Sequence, residues 1–154
     1  MARPRRDSSR CTSCPRVGLA CTLALTLAAC GGAPATPDIP ASFPAAVVAA
    51  LDSDTGGLHI EIRTSPEPLV RGQNVGQVTI TDAAGQPVEG LSLALVPWMP
   101  SHGHGTSVQP AISTTGDGVF VANPLYLFMA GQWELRMTVD GGIHDTATAV
   151  VEIP

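Results

Sequence analysis

From Leu58 onward the chain alternates apolar and polar residues with period two. Leu58, Ile60 and Ile62 fall on one parity and His59, Glu61 and Arg63 on the other, as a half-buried strand requires. Val78 and Ile80 against Thr79 and Thr81 predict a second strand. Asp82-Ala83-Ala84-Gly85-Gln86-Pro87 then supplies turn chemistry, and Leu91, Leu93 and Leu95 against Ser92, Ala94 and Val96 predict a third. After a loop from Pro97 to Ser107, a weaker strand is expected through Val108 to Ser113. Thr115-Gly116-Asp117-Gly118 turns into Val119-Phe120-Val121. Trp133, Leu135, Met137 and Val139 alternate with Glu134, Arg136 and Thr138, and Asp140-Gly141-Gly142 reads as a tight hairpin into Ile143 to Ile153. About seven strands with closely spaced turns and no convincing core helix predict an all-β, immunoglobulin-like sandwich.

Upstream the pattern changes. Ala45 to Leu51 is expected to form one or two helical turns, ended by Asp52-Ser53-Asp54 and Gly56-Gly57. Gly31 to Pro44 holds four prolines, two glycines and few large apolar side chains, so it predicts a semi-extended tether. Before it, Arg3, Arg5, Arg6, Arg10 and Arg16 precede an apolar run from Val17 to Ala29, the order of a secretory signal. That run is too short to span a bilayer as a mature helix. It ends in Leu27-Ala28-Ala29-Cys30-Gly31, which resembles the lipobox of bacterial lipoproteins. The resemblance implies lipidation of Cys30, cleavage before it and acylation of the new amino terminus, for instance by palmitate, which together give a stable membrane anchor. The expected organisation is a removed signal peptide over 1–29, a lipidated tether over 30–57 and a β-domain over 58–154. The domain is expected in the cell envelope, facing the periplasm or exterior. Gly31 fits onward transport to an outer membrane where the organism has one.

Cleavage there would change both the charge and the available chemistry. Cys11, Cys14, Cys21 and Cys30 all lie at or before the cut, so Cys11-Thr12-Ser13-Cys14 is assigned no function and the remaining 125 residues form no disulfide of their own. Three arginines remain against twelve acids, and the net charge moves from −5 to −9. Such a surface repels nucleic acid and anionic lipid and tolerates cations.

Three segments carry a family resemblance. Trp98-Met99-Pro100-Ser101-His102-Gly103-His104-Gly105-Thr106, then Gly116-Asp117-Gly118-Val119-Phe120, then Phe128-Met129-Ala130-Gly131-Gln132-Trp133-Glu134-Leu135 are similar, in order and spacing, to the YtkA-like/FixH-like group of small extracytoplasmic domains. The resemblance covers roughly Leu58 to Ile153. It implies a β-sandwich related in architecture to CopC-like copper carriers, in a group whose FixH members are associated with assembly of copper-containing respiratory oxidases. FixH keeps a transmembrane anchor, whereas a lipobox is found here, so the oxidase role does not carry over directly.

The loop has chemistry of its own. Met99, His102 and His104 fall at i, i+3 and i+5, with Pro100 stiffening the entry and Gly103 and Gly105 admitting backbone angles closed to other residues. Thioether and imidazole together suit Cu(I), and imidazoles alone also take Cu(II) or Zn(II). Met129, His144 or His59 would supply a fourth donor. The alternative for each is structural. Met99 shares parity with Leu91, Leu93 and Leu95 and closes the core on that reading, while the two histidines of the loop cap its backbone. Met137 is assigned to the core, and Trp133 to its centre. Trp98, on the opposite parity beside the histidines, shields a metal, contacts a partner or closes the strand end.

Catalysis is not expected. The sequence holds no Gly-x-Ser-x-Gly elbow, no His-Glu-x-x-His helix and no phosphate-binding glycine loop. Ser101 beside His102 is no triad, because neighbours on an extended chain point apart. Three readings stand: a metal-binding or metal-delivery lipoprotein, a non-catalytic interaction module of an envelope efflux or respiratory assembly, and a small hydrolase, against which the missing motifs argue.

Overall fold

The structure is a computed structural model that describes residues 38–154. The arginine-rich leader, Cys30 and the beginning of the tether lie outside the described residues. Nine strands follow one another: β1 (Ala49–Asp52), β2 (Leu58–Ser65), β3 (Gly72–Asp82), β4 (Ser92–Met99), β5 (His104–Gly105), β6 (Ala111–Gly116), β7 (Val119–Leu127), β8 (Gly131–Asp140) and β9 (Asp145–Ile153). They form a five-stranded sheet in the order β1-β2-β3-β7-β6 and a four-stranded sheet in the order β5-β4-β8-β9, every pairing antiparallel. No helix among the described residues is long and apolar enough to cross a membrane.

The period-two pattern places the core. Ile60, Ile62, Val78 and Ile80 from one sheet meet Leu95, Trp133, Leu135 and Val139 from the other, and Trp133 is fully buried at their centre. Alternation of buried with half-buried or exposed positions along β2, β9 and, from Trp133 on, β8 follows from covering one face of each sheet. The immunoglobulin-like sandwich expected from the alternation is the observed fold, with two short strands beyond the expected number.

Those additions correct the sequence reading in three places. Ala45–Leu51 is not helical: β1 occupies its second half and pairs with β2, Ala49 opposite Ile62 and Leu51 opposite Ile60. Alanine-rich composition favours a helix locally, but a segment this short does not sustain one alone, and the free edge of β2 offers a complete ladder. The β-domain therefore begins before Ala49 and not at residue 58. The weak strand expected through Val108 to Ser113 starts at Ala111, and the last strand at Asp145 instead of Ile143.

Turn chemistry holds where the sequence marked it. Asp117 (φ 53°) and Gly118 (φ 69°) form the two-residue connection of the β6–β7 hairpin, both left-handed as a type I′ turn demands. Gly118 also docks the hairpin on β3, since its carbonyl accepts from the Ile80 N–H at 2.8 Å. A Cβ there would stand 2.3 Å from the Ile80 carbonyl oxygen.

Strand direction gives the sandwich two ends. One carries the connections 66–71, 100–103 and 128–130, and is called the loop end. The opposite, turn end carries the connections 53–57, 83–91, 117–118 and 141–144. At the turn end a buried carboxylate ties β9 to the β1–β2 connection. Asp145 accepts from Thr55 Oγ1 at 2.5 Å, Thr55 N at 3.2 Å and Thr146 N at 2.8 Å. The Ser53 hydroxyl, first, and then that of Thr55 hold its pKa down, from 3.8 to about 2. A depressed carboxylate stabilises the fold above its unfolded pKa and loses that contribution as pH falls through the folded value. Wild type should therefore resist urea better than Asp145→Asn by a constant margin above pH ~5, with the margin shrinking between roughly pH 4 and 2. A margin that stays flat across a urea-midpoint series down to pH 2 would contradict this.

Candidate functional site

The loop with the candidate ligands is a tight hairpin on the edge of the four-stranded sheet. Pro97 is tolerated in β4 because its missing N–H belongs to the side that β5 barely covers. After Met99 the chain turns back at once. The Met99 carbonyl accepts from His102 N at 3.1 Å and Gly103 N at 3.0 Å, and Gly103 takes the left-handed conformation (φ 67°) that ends the turn. The return strand β5 then sets His104 opposite Met99 and Gly105 opposite Trp98. Gly105 is required for that approach, because a Cβ would stand 2.5 Å from the Pro97 carbonyl oxygen.

This geometry brings His102 and His104 together. Both are exposed, with ring centroids 5.6 Å apart and planes at 65°. Two imidazoles on one ion, with bonds of about 2.0 Å, have centroids roughly 4.5–6.4 Å apart, so the observed spacing fits a shared metal. His104 Nδ1 lies 3.0 Å from the Gly105 carbonyl oxygen. A carbonyl only accepts, so Nδ1 carries the hydrogen and Nε2 keeps its lone pair free, an orientation common among metal-bound histidines.

One methionine stands opposite His104 in the ladder, and a second lies at the same end of the sandwich. Directly opposed residues share a face with Cβ atoms about 4.5–5.5 Å apart, which sets Met99 below His104. Met99 is nevertheless 2 % exposed and packs with its methyl against Gly131. Its core reading is thus observed, and it would ligate only by turning its flexible thioether toward the hairpin. Met129 sits half-buried in the connection between β7 and β8, at the same end, and its carbonyl accepts from Trp133 Nε1 at 3.0 Å.

His144 and His59 are not brought to the loop. His144 follows β8 at the turn end and pairs with Asp140, whose ladder partner Ser92 begins β4. Seven residues of strand, about 23 Å, separate that point from Met99. His59, half-exposed on β2, pairs with Asp52 at 3.0 Å at the same turn end. Neither completes a set with His102 and His104, because alternation along one strand says nothing about which end of a sheet two distant residues share. Among the described residues no three His, Cys, Asp or Glu side chains converge on one point. The candidate set is therefore two imidazoles with thioethers.

Trp98 lies on the outer face of its sheet, half-buried. The Arg136 guanidinium stacks 4.6 Å from its ring centroid and pairs with Glu134 at 2.7 Å. Val96 and Val150 flank this group, 41 % and 53 % exposed. The stacking escaped the sequence reading, although Arg136 and Trp98 each fall on the outward parity of their strands.

Among solved structures, the chain is similar to a DUF4426 family protein from Pseudomonas aeruginosa PAO1, at 15 % identity and a TM-score of 0.47, covering 64 % of this chain and 91 % of that one. It is also similar to the Lin-41 filamin domain, at 18 % identity and a TM-score of 0.42, covering 60 % of this chain and 91 % of that one. No curated protein matches the chain. The YtkA-like family profile matches residues 52–138, from the end of β1 into β8 and across the whole histidine hairpin, and the chain belongs to the YtkA-like family.

Proposed function

We propose that this chain is an extracytoplasmic, lipid-anchored and non-catalytic domain that binds copper and delivers it to a partner in the envelope. The observation that carries this reading is the pairing of His102 and His104 at the hairpin tip, 5.6 Å apart, with His104 Nε2 free and Met99 opposed to His104 in the ladder. Two imidazoles with thioethers at the same end would serve both oxidation states: the histidines suffice for Cu(II), and Met99 or Met129 would add the soft donor that Cu(I) prefers. Cys30 is the proposed lipid attachment, which would keep the cargo close to membrane machinery. Removing both imidazoles should abolish uptake. Calorimetric titration of the domain with Cu(I) under reductant, and separately with Cu(II), should show close to one equivalent bound by wild type and none by His102→Ala/His104→Ala. Undiminished uptake in the double variant would remove the hairpin from consideration.

The interaction-module reading is favoured by one observation, the strip formed by exposed Val96 and Val150 and half-buried Trp98 around the Glu134–Arg136 pair. Carrying Trp98→Ala through the same titration separates the two readings. Intact copper uptake with lost partner capture assigns the strip to protein contact, whereas lost uptake assigns Trp98 to the metal site.

A further inference from the structure

The described chain enters β1 from the loop end. Val48 N donates to the Ile62 carbonyl at 2.8 Å, Ala49 stands opposite Ile62, and β1 runs from there to Asp52 at the turn end. Cys30 lies 18 residues before Val48. The proposed anchor thus precedes a segment that joins the sandwich at the end carrying the histidine hairpin.

Charge is divided between the same two ends. Asp52, Asp54, Asp82, Glu89, Asp117 and Asp140 stand at or beside the turns of the turn end, with no arginine among the described residues there. The loop-end segments 66–71, 100–110 and 128–130 contain only Glu67 and Arg71, flanked by Glu152 on β9. They also expose apolar side chains: Val70 is 40 %, Val108 39 % and Phe128 37 % accessible.

From this polarity we infer that the domain lies with its loop end against the lipid surface and its acidic turn end directed away. The inference rests on the proposed lipidation of Cys30. Anionic head groups repel the six turn-end carboxylates within a Debye length, about 8 Å. The loop end, where Arg71 offsets Glu67 and Glu152 alone adds to them, meets far less repulsion and gains by placing Val70, Val108 and Phe128 in the interfacial region. Of the eighteen residues before Val48, those from Asp38 onward belong to the described structure, with Pro40, Phe43 and Pro44 half-buried. The point of entry, the charge and the apolar rim all select the same end. His102 and His104 then face the bilayer plane, where a membrane-embedded acceptor presents its own ligands.

A labelling experiment on the full chain, isolated with its anchor, tests this. No cysteine follows Cys30, so Ser101→Cys at the loop end and Ala84→Cys at the turn end each report one position, both on exposed turn residues outside the core. A fluorophore is attached to each, the protein is placed in vesicles of phosphatidylethanolamine and phosphatidylglycerol carrying a head-group quencher, and the lipid on Cys30 is verified by mass. Quenching several-fold stronger at position 101 than at 84 is the expected result. Equal quenching, or stronger quenching at 84, on a chain of lipidated mass overturns the orientation alone. A chain without the lipid mass overturns the lipoprotein reading and the orientation together.

Discussion

Replacing Trp133 with alanine is expected to bring the domain close to unfolding at ambient temperature. Trp133 is fully buried between the sheets and donates from Nε1 to the Met129 carbonyl at 3.0 Å. Truncating a buried aromatic costs about 3–5 kcal/mol through lost transfer energy and the cavity left behind. Whole-domain stability is only about 5–15 kcal/mol, and without a disulfide in the β-domain the core has no covalent support. At roughly 4 °C per kcal/mol for a domain of just over 100 residues, the melting temperature should fall by about 12 °C or more. Trp133→Phe should retain most of the packing and lose chiefly the hydrogen bond, about 1 kcal/mol. Scanning calorimetry of the two variants checks the ordering. A loss below about 1 kcal/mol for the alanine variant would show that the inter-sheet packing does not centre on this side chain.

Gly105→Ala is expected to weaken the proposed site strongly through the addition of a single methyl group. One methyl group would stand 2.5 Å from the Pro97 carbonyl oxygen, and backbone cannot yield as a flexible side chain would. The two-residue strand β5 must then leave β4, and His104 loses its place opposite Met99. Copper uptake should weaken by about tenfold or more, equivalent to about 1.4 kcal/mol, while the cooperative unfolding of the sandwich persists because β5 adds little to the core. Gly103→Ala is the comparison. Its φ of 67° disfavours a side chain, yet nothing stands within 4 Å of the new methyl, so the strain stays local and uptake should fall less. Uptake by Gly105→Ala indistinguishable from wild type would mean that the hairpin geometry does not matter to binding.

How much of this could be read from the residues depended on the range of the interaction. Alternation placed β2, β4, β8 and their buried faces correctly, because burial of one face of a strand imposes period two directly on the sequence. Asp117-Gly118 announced its hairpin, since few other pairs take two left-handed positions in succession. Ala45–Leu51 misled, because its strand state is conferred by β2 and not by local propensity. β5 could not be seen at all: two residues carry no period, and only the glycine at 105 hinted that two backbones approach closely. His144 was offered as a ligand because composition supplies no coordinates. The strand register puts it at the far end of the sandwich, beside Asp140.

The hairpin joins the rest of the protein through β4 and two ladder pairs, and residues 100–103 add no side chain to the core. Folding and the proposed metal chemistry are therefore written in largely separate letters. The connecting residues of such a hairpin are free to drift, to change cargo or to lose it, while the sandwich keeps its stability. Met99 is the exception, since it fills the core and stands beneath His104 at once. It is the position at which selection on one property constrains the other, and a relative whose ligands have diverged should still retain there a side chain of similar volume.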